Sequence, residues 1–546
     1  MTAVCGIRQG KFSYAYWLLA ALLFVLVPIA SFAQSEGVDA DAGRLVLSIA
    51  TEPPDLDHST TSDQISIFVL SHVFEGLLQY GPDGQLMPAV AESWRETDNG
   101  FEFVLRRDAR WSDGKAVTAM DFKYAWQRAL APDTASQYAF ILFPIAGAKA
   151  IHEQGAAADT LGVEVVDRYT LRVTLERPCP WFPSLTAFPT FYPLREDIVD
   201  RWQGRYAADA DKMIYNGPFV LDRWVHGAQL RMRRNEQYWN RDAIALNEID
   251  IPYITSDPGA QYNLFKDGQI ALANLDKSSL EHALSRGFEA REFKNGTLFY
   301  WLFNFRDGRP TSNRALRKAI QSVFDPSILV YQVLGLPGIE PGVSLFPKTV
   351  RVAGQRLREH HPLTEPDRSL VVAKRWLEQA RNELGGQIPA LTLLAGDSPR
   401  ATQEAEFLQY LLKRALGIDL RIDQQSFKQR LEKMRRGDFD IAAAGWGPDY
   451  DDALTFADLF ASWNANNRGR YNSEIYDALV RRAMAQTDAG QRMRSFHLMQ
   501  QHIQSEAVIL PSYENVSLYL LHPGLKGLQR QIFGGDPNLR FVELEP

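Results

Sequence analysis

The chain contains only two cysteines among its 546 residues, Cys5 and Cys179. That number excludes a disulfide scaffold and a thiolate zinc site, because both need several cysteines at close spacing. An excess of basic residues is also missing, since 66 acidic residues outnumber 59 basic ones and give a formal charge of −7. A field of that sign attracts neither nucleic acid nor an anionic membrane surface. We therefore expect no nucleic-acid partner.

The sequence also lacks the short motifs that mark common catalytic sites. It has no P-loop, no dinucleotide fingerprint and no G-x-S-x-G nucleophile elbow. Histidines occur at His360-His361 and at His497 and His502, and neither set has the i, i+4 spacing of a helical zinc pair. Cys179 lies between two prolines, which suits a small buried thiol better than a nucleophile. We expect no cofactor, no metal and no catalysis, with an exported hydrolase that uses clustered carboxylates as the alternative from another class.

One apolar run is long enough to matter for targeting. It covers 14 residues at positions 17–30, follows two basic residues, and is succeeded by Ser31-Phe32-Ala33. A positive start, a short apolar segment and small residues at the cleavage positions are typical of a secretory signal peptide. The run is short for a membrane span of about 20 residues, so an uncleaved anchor is the alternative. The prediction is a signal peptide at residues 1–33 and a periplasmic mature protein.

Local patterns along the mature chain predict both strands and amphipathic helices. Alternating polarity predicts strands at residues 44–50, 101–105 and 170–175. Thr118 and Asp121 form a capping-box pattern before apolar residues at helical spacing. Asn313 is placed to cap another helix, and the proline-rich residues 178–193 predict a loop.

The region from 390 to 450 has the clearest pattern. Its predicted elements are a strand at 391–395, a helix at 401–415, a strand at 418–422, a helix at 427–436 and a strand at 439–444. A β-α-β-α-β order implies parallel strands joined by right-handed crossovers. In open α/β sheets, ligands bind outside the carboxyl ends of such strands. The segment that follows, residues 445–452, is therefore the candidate binding site.

The residue types in this segment suit a cationic ligand. Gly445 allows close approach of a ligand to the backbone, Trp446 and Tyr450 offer ring faces, and Asp449 offers a negative charge. A carboxylate shielded by aromatic rings is a suitable anchor for an ammonium group. An acidic surface loop is the alternative. Three aspartates at close spacing also suggest calcium, although the Gly and Glu of an EF-hand loop are absent.

Longer motifs occur along the whole mature chain. They are Phe74-Glu75-Gly76-Leu77-Leu78, residues 88–94, 105–114 and 117–122, Asn216-Gly217-Pro218-Phe219, Tyr238-Trp239-Asn240, and residues 313–325 and 439–450. In these motifs and in their order, the chain resembles the peptide and oligopeptide substrate-binding proteins of ABC importers. That extracytoplasmic family includes the oligopeptide-binding and murein-peptide-binding proteins of bacteria.

The resemblance implies a fold and a function. The implied fold is α/β: a two-lobed periplasmic-binding-protein fold of class II type with an additional domain inserted in the first lobe. The first lobe would comprise residues 34–74, 198–296 and 515–546, the inserted domain 75–197, and the second lobe 297–514. The implied function is non-enzymatic capture of a peptide or peptide-like ligand by hinge closure, and its delivery to an ABC permease complex in the inner membrane. The protein is expected to be a monomer.

The resemblance also implies ligand-binding residues. An aspartate after a Gly-Trp pair binds the ligand's α-ammonium group in oligopeptide-type members, and Asp449 stands at that position after Gly445 and Trp446. Tyr513 lies near a tyrosine that family members direct to the cleft, and Tyr450 follows Asp449 directly.

Two departures from the family pattern affect the expected ligand. Ala443 stands where the pattern has an arginine that meets a peptide's terminal carboxylate. Gly447 and Thr297 stand at the positions of the family's disulfide cysteines. A murein peptide, an opine-like compound or another cationic metabolite is therefore an alternative ligand.

Overall fold

The computed structural model describes residues 36–545. The predicted signal peptide at residues 1–33 lies outside these described residues. No helix between residues 36 and 545 combines the length and the apolar character that a bilayer crossing needs.

Four larger sheets organise the described chain. In spatial order, the five-stranded sheet contains Val38–Asp39, Arg44–Ile49, Glu248–Ile254, Gln229–Arg234 and Phe219–Val225. The four-stranded sheet contains Ala91–Thr97, Gly100–Leu105, Thr170–Thr174 and Val163–Asp167. The three-stranded sheet contains Leu272–Asn274, Ser517–Leu521 and Arg291–Phe293. The six-stranded sheet contains Glu340–Pro341, Ile509–Glu514, Leu298–Phe303, Ile441–Trp446, Leu391–Gly396 and Leu420–Gln425.

Helices of seven residues or more cover these sheets. They are Gln64–Val73, Ala119–Leu130, Ala148–Gln154, Glu196–Trp202, Pro258–Lys266, Lys277–Ser285, Arg314–Gln321, Leu370–Glu383, Pro399–Leu416, Phe427–Arg436, Glu474–Ala485 and Ala489–Ser505. Buried side chains of Arg314–Gln321, Leu370–Glu383 and Pro399–Leu416 form one hydrophobic cluster with Leu391–Gly396. These helices therefore cover part of the six-stranded sheet.

The sheets divide by chain segment in the way that a multi-lobed protein requires. The five- and three-stranded sheets draw their strands from the segments predicted for the first lobe. The four-stranded sheet comes from the predicted inserted domain, and the six-stranded sheet comes from the predicted second lobe. The lobe boundaries themselves stay a prediction.

Most local predictions in the first half are confirmed. The capping box is present, because Thr118 donates its backbone N–H to Asp121 Oδ2 at 2.8 Å and the helix Ala119–Leu130 follows. The loop predicted at 178–193 is wrong in part, since it contains a short helix at Phe182–Leu185 and a 3₁₀ turn at Pro189–Phe191. A proline stands in the first turn of each, where its missing N–H costs nothing.

The predicted β-α-β-α-β unit is confirmed in the six-stranded sheet. Leu391–Gly396 lies between Leu420–Gln425 and Ile441–Trp446, and both pairings are parallel. The third strand ends at Trp446 instead of residue 444, because its antiparallel pairing with Leu298–Phe303 continues to the pair Leu298 and Trp446. Gly445 and Trp446 therefore belong to the strand, and residues 447–452 follow its carboxyl end.

Candidate functional site

Two adjoining cavities lie between chain segments at the carboxyl ends of these strands. One, the Asp449 cavity, has a volume of about 340 Å³, and the other, the Arg400 cavity, has a volume of about 550 Å³. Phe299, Tyr300 and Arg430 line both cavities. The two cavities are therefore neighbouring compartments of one cleft. Their walls come from residues of the predicted first lobe, inserted domain and second lobe.

Asp449 is buried at one end of this cleft, with 4% of its surface exposed. The Tyr138 hydroxyl lies 3.2 Å from each carboxylate oxygen, and the Thr455 hydroxyl lies 3.5 Å from Oδ2. No Lys, Arg or His of residues 36–545 forms an ion pair with this carboxyl group. Burial raises the pKa of Asp449 to about 8. An ammonium group in the cavity would supply the cation that a buried carboxylate needs.

Trp446 and Gly445 lie in the same cavity. The Trp446 ring is stacked on the Tyr138 ring, with centroids 6.1 Å apart and an interplanar angle of 17°. Gly445 is exposed, and a Cβ atom added there would lie 2.9 Å from a ring carbon of Phe299. The Phe299 ring occupies the direction that a side chain at residue 445 would take, so this position offers only its backbone to the cavity.

The structure places the two predicted tyrosines apart from Asp449. Tyr513 lines the Arg400 cavity, donates its hydroxyl to Glu404 Oε1 at 2.7 Å, and stacks on Phe299 with centroids 4.8 Å apart. Tyr450 is buried and lines a third cavity of about 410 Å³, which does not include Asp449. The structure thus brings Gly445, Trp446 and Asp449 together, with Tyr513 in the adjoining compartment and Tyr450 on another side. Their roles in binding stay a prediction.

The three neighbouring aspartates do not form a cation site. Asp449 faces Tyr138, and Asp451 is exposed. Asp452 accepts two hydrogen bonds from Arg492, at 2.5 and 2.7 Å. Residues 36–545 contain no group of three or more His, Cys, Asp or Glu side chains that could hold a metal ion. The three carboxylates have separate surroundings, which contradicts the calcium alternative.

Contacts between distant segments close the Asp449 cavity. Asn466 donates to the Gln137 carbonyl at 3.2 Å, and Arg468 donates to the Gln137 side chain. With the hydrogen bond from Tyr138 to Asp449, these contacts tie the predicted inserted domain to the predicted second lobe. Tyr138 and Arg468 could not be predicted from the sequence, because neither stands in a motif and both reach the cavity only through the tertiary fold.

The positions of the family's disulfide are adjacent in this chain. A Cβ atom added at Gly447 would lie 3.1 Å from Thr297 Oγ1. Backbone pairing of the neighbouring strands, from Leu298 opposite Trp446 onward, holds the two segments together without a covalent bond. Cys179 is buried with a free thiol.

Comparisons with known proteins agree with this architecture. Residues 85–468 match the family described as bacterial extracellular solute-binding proteins, family 5 Middle. The chain is 29% identical to the periplasmic murein peptide-binding protein MppA of Escherichia coli, over 89% of this chain and 90% of the relative. It is 28% identical to the dipeptide-binding protein DppE of Bacillus subtilis, over 90% of this chain and 91% of the relative. The structure of Listeria monocytogenes OppA bound to peptide superposes with a TM-score of 0.87 at 28% identity, over 92% of this chain and 99% of that one.

Two structures of MppA show which lobe arrangement is present. The E. coli protein superposes on this chain with a TM-score of 0.83 at 29% identity, over 92% of this chain and 98% of that one. The structure of MppA in its unliganded open form superposes with a TM-score of only 0.61, over 93% of this chain and 98% of that one. Because coverage is almost the same, the lower score reflects the relative position of the lobes. The present structure therefore resembles the open form less, and the contacts of residues 137 and 138 with the predicted second lobe close its cleft.

Proposed function

The chain belongs to the bacterial extracellular solute-binding proteins of family 5, and we propose that it captures peptides or peptide-like ligands and delivers them to an ABC permease in the inner membrane. It is a binding protein, as its relatives are, which contradicts the hydrolase alternative. The finer assignment is a monomer that is exported through the signal peptide at residues 1–33 and acts in the periplasm. Ligand contacts made only in the closed form would shift the open–closed equilibrium.

The observation that carries the proposal is the environment of Asp449. This buried carboxyl group has no cationic partner within residues 36–545 and follows the carboxyl end of a strand that lines the cleft. A peptide's α-ammonium group has the charge and the three donors that this site lacks. Tyr138 of the predicted inserted domain contacts Asp449 across the cleft, so we expect lobe closure and ligand binding to support each other.

The strand before Asp449 has a backbone edge that a peptide can use. Leu391–Gly396 pairs with Ile441–Trp446 only at Ile441 and Ala442. Residues 443–446 therefore have a strand neighbour on the Leu298–Phe303 side alone within the described chain. An extended ligand can add to the free side by main-chain hydrogen bonds, which do not depend on ligand side chains. The small residues Ala443, Ala444 and Gly445 leave room for it.

The first experiment identifies the ligand and tests the proposal. Native mass spectrometry of the purified mature protein should show a retained peptide, or calorimetry should show binding of unmodified di- to pentapeptides. N-acetylation of the same peptides should weaken binding at least tenfold, because it removes the charge that faces Asp449. The murein tripeptide belongs in the same series, since MppA is a murein peptide-binding protein. Equal affinity for free and acetylated peptides would contradict the proposal, and so would cleavage of the peptide during incubation.

We expect the closed, ligand-free form to depend on pH. The closed cleft raises the pKa of Asp449 to about 8, whereas a solvated aspartate titrates near 4. The closed form therefore binds a proton that the open form releases between about pH 4 and pH 8, so closure without ligand is favoured at low pH and is lost as pH rises through this range. Small-angle scattering should show a radius of gyration that increases from about pH 5 to pH 8.

Asp449→Asn is the control for this pH effect. Asp63 lines the same cavity and burial raises its pKa to about 6, so it titrates in the same range. The variant should lose the response between about pH 6 and pH 8 and keep the part below about pH 6 that is due to Asp63. An unchanged scattering profile in Asp449→Asn would assign the whole effect to other groups and contradict the expectation.

A further inference from the structure

The Arg400 cavity contains two arginines without an acidic partner. Arg400 donates to Asn515 Oδ1 at 3.3 Å, and Arg430 donates to the carbonyl oxygen of Ala443 at 2.9 Å. Neither guanidinium has a carboxylate oxygen within 4.0 Å in the part of the chain that the structure describes. Asp397 and Glu404 line the same cavity, but neither carboxylate lies within ion-pair distance of Arg400 or Arg430.

Arg430 occupies the junction of the two cavities. It lies one turn into the helix Phe427–Arg436, and its side chain lines both compartments. Its Nη1 atom contacts the free backbone edge at Ala443, and its Nε atom is buried without a hydrogen-bond partner in the described chain. A guanidinium group has five N–H donors, and the protein uses one of them here.

The neighbouring acidic groups do not account for this arginine. Asp397 and Glu404 line the same cavity and form no ion pair with Arg430 within the described chain, and Glu404 Oε1 accepts from the Tyr513 hydroxyl at 2.7 Å. Burial raises the pKa of Glu404 and lowers the pKa of Arg430, because neither charge has an ion-pair partner that offsets its desolvation. An arginine with free donors at the junction of the two cavities is suited to bind a carboxylate in two-pronged geometry.

We propose that Arg430 binds a carboxylate of the ligand and so determines specificity for acidic or free-acid peptides. This inference rests on the proposed peptide-binding function. In the family pattern the arginine stands in the strand, at the position of Ala443. Here the guanidinium group of Arg430 reaches the carbonyl of Ala443 from the neighbouring helix Phe427–Arg436. The cleft then has an anionic anchor at Asp449 and a cationic anchor at Arg430, which fixes the direction in which a ligand lies.

The separation of the anchors limits the ligand's length. Ala443 and Asp449 are six positions apart along the chain, and an extended chain rises about 3.3 Å per residue, which gives at most about 20 Å. An extended peptide that reaches both anchors with its terminal groups therefore has at most about six residues. A longer extended peptide can satisfy Arg430 only through an acidic side chain.

The test compares matched ligands on five proteins. Calorimetry is carried out with di- to hexapeptides as free acids and as carboxyl-terminal amides, and with amidated peptides that carry an internal Glu or Gln. The proteins are the wild type, Arg430→Gln, Arg430→Lys, Arg400→Gln and Arg421→Gln. Arg421 is an exposed residue of the strand Leu420–Gln425. Arg421→Gln therefore serves as the control, because it removes the same charge outside the cleft. Melting temperatures verify that each variant is folded.

The wild type should prefer an acid over its amide by about 10- to 100-fold at one peptide length, as expected for a charged hydrogen bond. Arg430→Gln should reduce this preference to less than about threefold while amidated peptides bind as they do to the wild type. Arg430→Lys should restore part of the preference, and Arg421→Gln should keep all of it. A preference for internal Glu over Gln, with none for the free terminus, would assign the contact to a ligand side chain.

Other results would overturn the assignment. Equal preference for acids in wild type and Arg430→Gln would exclude Arg430, and loss of the preference in Arg400→Gln alone would transfer the role to Arg400. If no peptide binds to the wild type at all, the proposed function itself fails. The amide series separates these cases, because amidated peptides still report binding through Asp449.

Discussion

Asp449→Asn is expected to weaken the binding of peptides with a free amino terminus by about 100-fold or more. Removing one partner of a buried ion pair costs about 3–5 kcal/mol, because the other charge stays buried without compensation. Asparagine has the same shape and can still accept a hydrogen bond from Tyr138, so the loss isolates the charge. Calorimetry with one peptide, as free amine and as N-acetyl derivative, measures it directly.

The fold should tolerate this substitution. Burial raises the pKa of Asp449 to about 8, so the carboxyl group is largely protonated near neutral pH in the closed, empty protein and resembles a neutral amide. The melting temperature of the ligand-free variant should equal that of the wild type or exceed it. A lower melting temperature with normal affinity would show that Asp449 has a structural role.

Asp451→Asn is the matched control for charge. It removes the same charge from the same loop, and Asp451 is exposed. Asp452 is unsuitable as a control, because its two hydrogen bonds to Arg492 hold the loop. If Asp449→Asn and Asp451→Asn weaken binding equally, the effect comes from the general field of the loop, and the ammonium contact is wrong.

Local sequence patterns were sufficient to predict the unit that carries the site. Periodicity alone predicted the β-α-β-α-β order of residues 390–450, and the rule for open sheets then predicted that ligands bind after its third strand. The pattern could not predict that this strand continues to Trp446, because its end is set by pairing with Leu298–Phe303, more than a hundred residues away. Sequence proximity groups Tyr450 with Asp449, but the chain bends after the strand and the two residues line different cavities.

The opposite wall of the cleft could not be predicted in the same way. Tyr138 is separated from Asp449 by 311 positions and stands in no recognisable motif. Arg430 had a weak signal, since it lies in the first turns of a helix that follows a parallel strand, at the edge of the sheet where ligands bind. Both residues acquire a possible function only when the fold places them across a cavity.

Three of the motifs that support the family resemblance meet at one buried residue. Glu75 accepts hydrogen bonds from the Tyr238 hydroxyl, from Trp239 Nε1 at 2.8 Å and from Arg540 Nη1 at 3.1 Å. The side chain of Asn216 accepts from the Glu75 backbone N–H at 3.1 Å and donates to its carbonyl at 2.9 Å. The Phe-Glu-Gly, Asn-Gly-Pro-Phe and Tyr-Trp-Asn motifs are thus parts of a single polar network in the interior.

Glu75→Ala is therefore expected to destabilise the protein by about 3–5 kcal/mol, because it leaves the buried Arg540 guanidinium without its carboxylate. The Glu75 side chain is fully buried, so water cannot replace the lost acceptor. Denaturant unfolding should show a lower midpoint for Glu75→Ala and no change for Glu92→Ala, which truncates an exposed glutamate. A loss below about 1 kcal/mol, the size of an ordinary surface contact, would show that the network does not hold the three motifs together.

The network joins the chain segments around residues 75, 216, 238 and 540, so its loss should affect peptide binding only through the stability of the fold. Peptide binding by Glu75→Ala should decrease in proportion to the fraction of unfolded protein, and the affinity of the folded fraction should be unchanged.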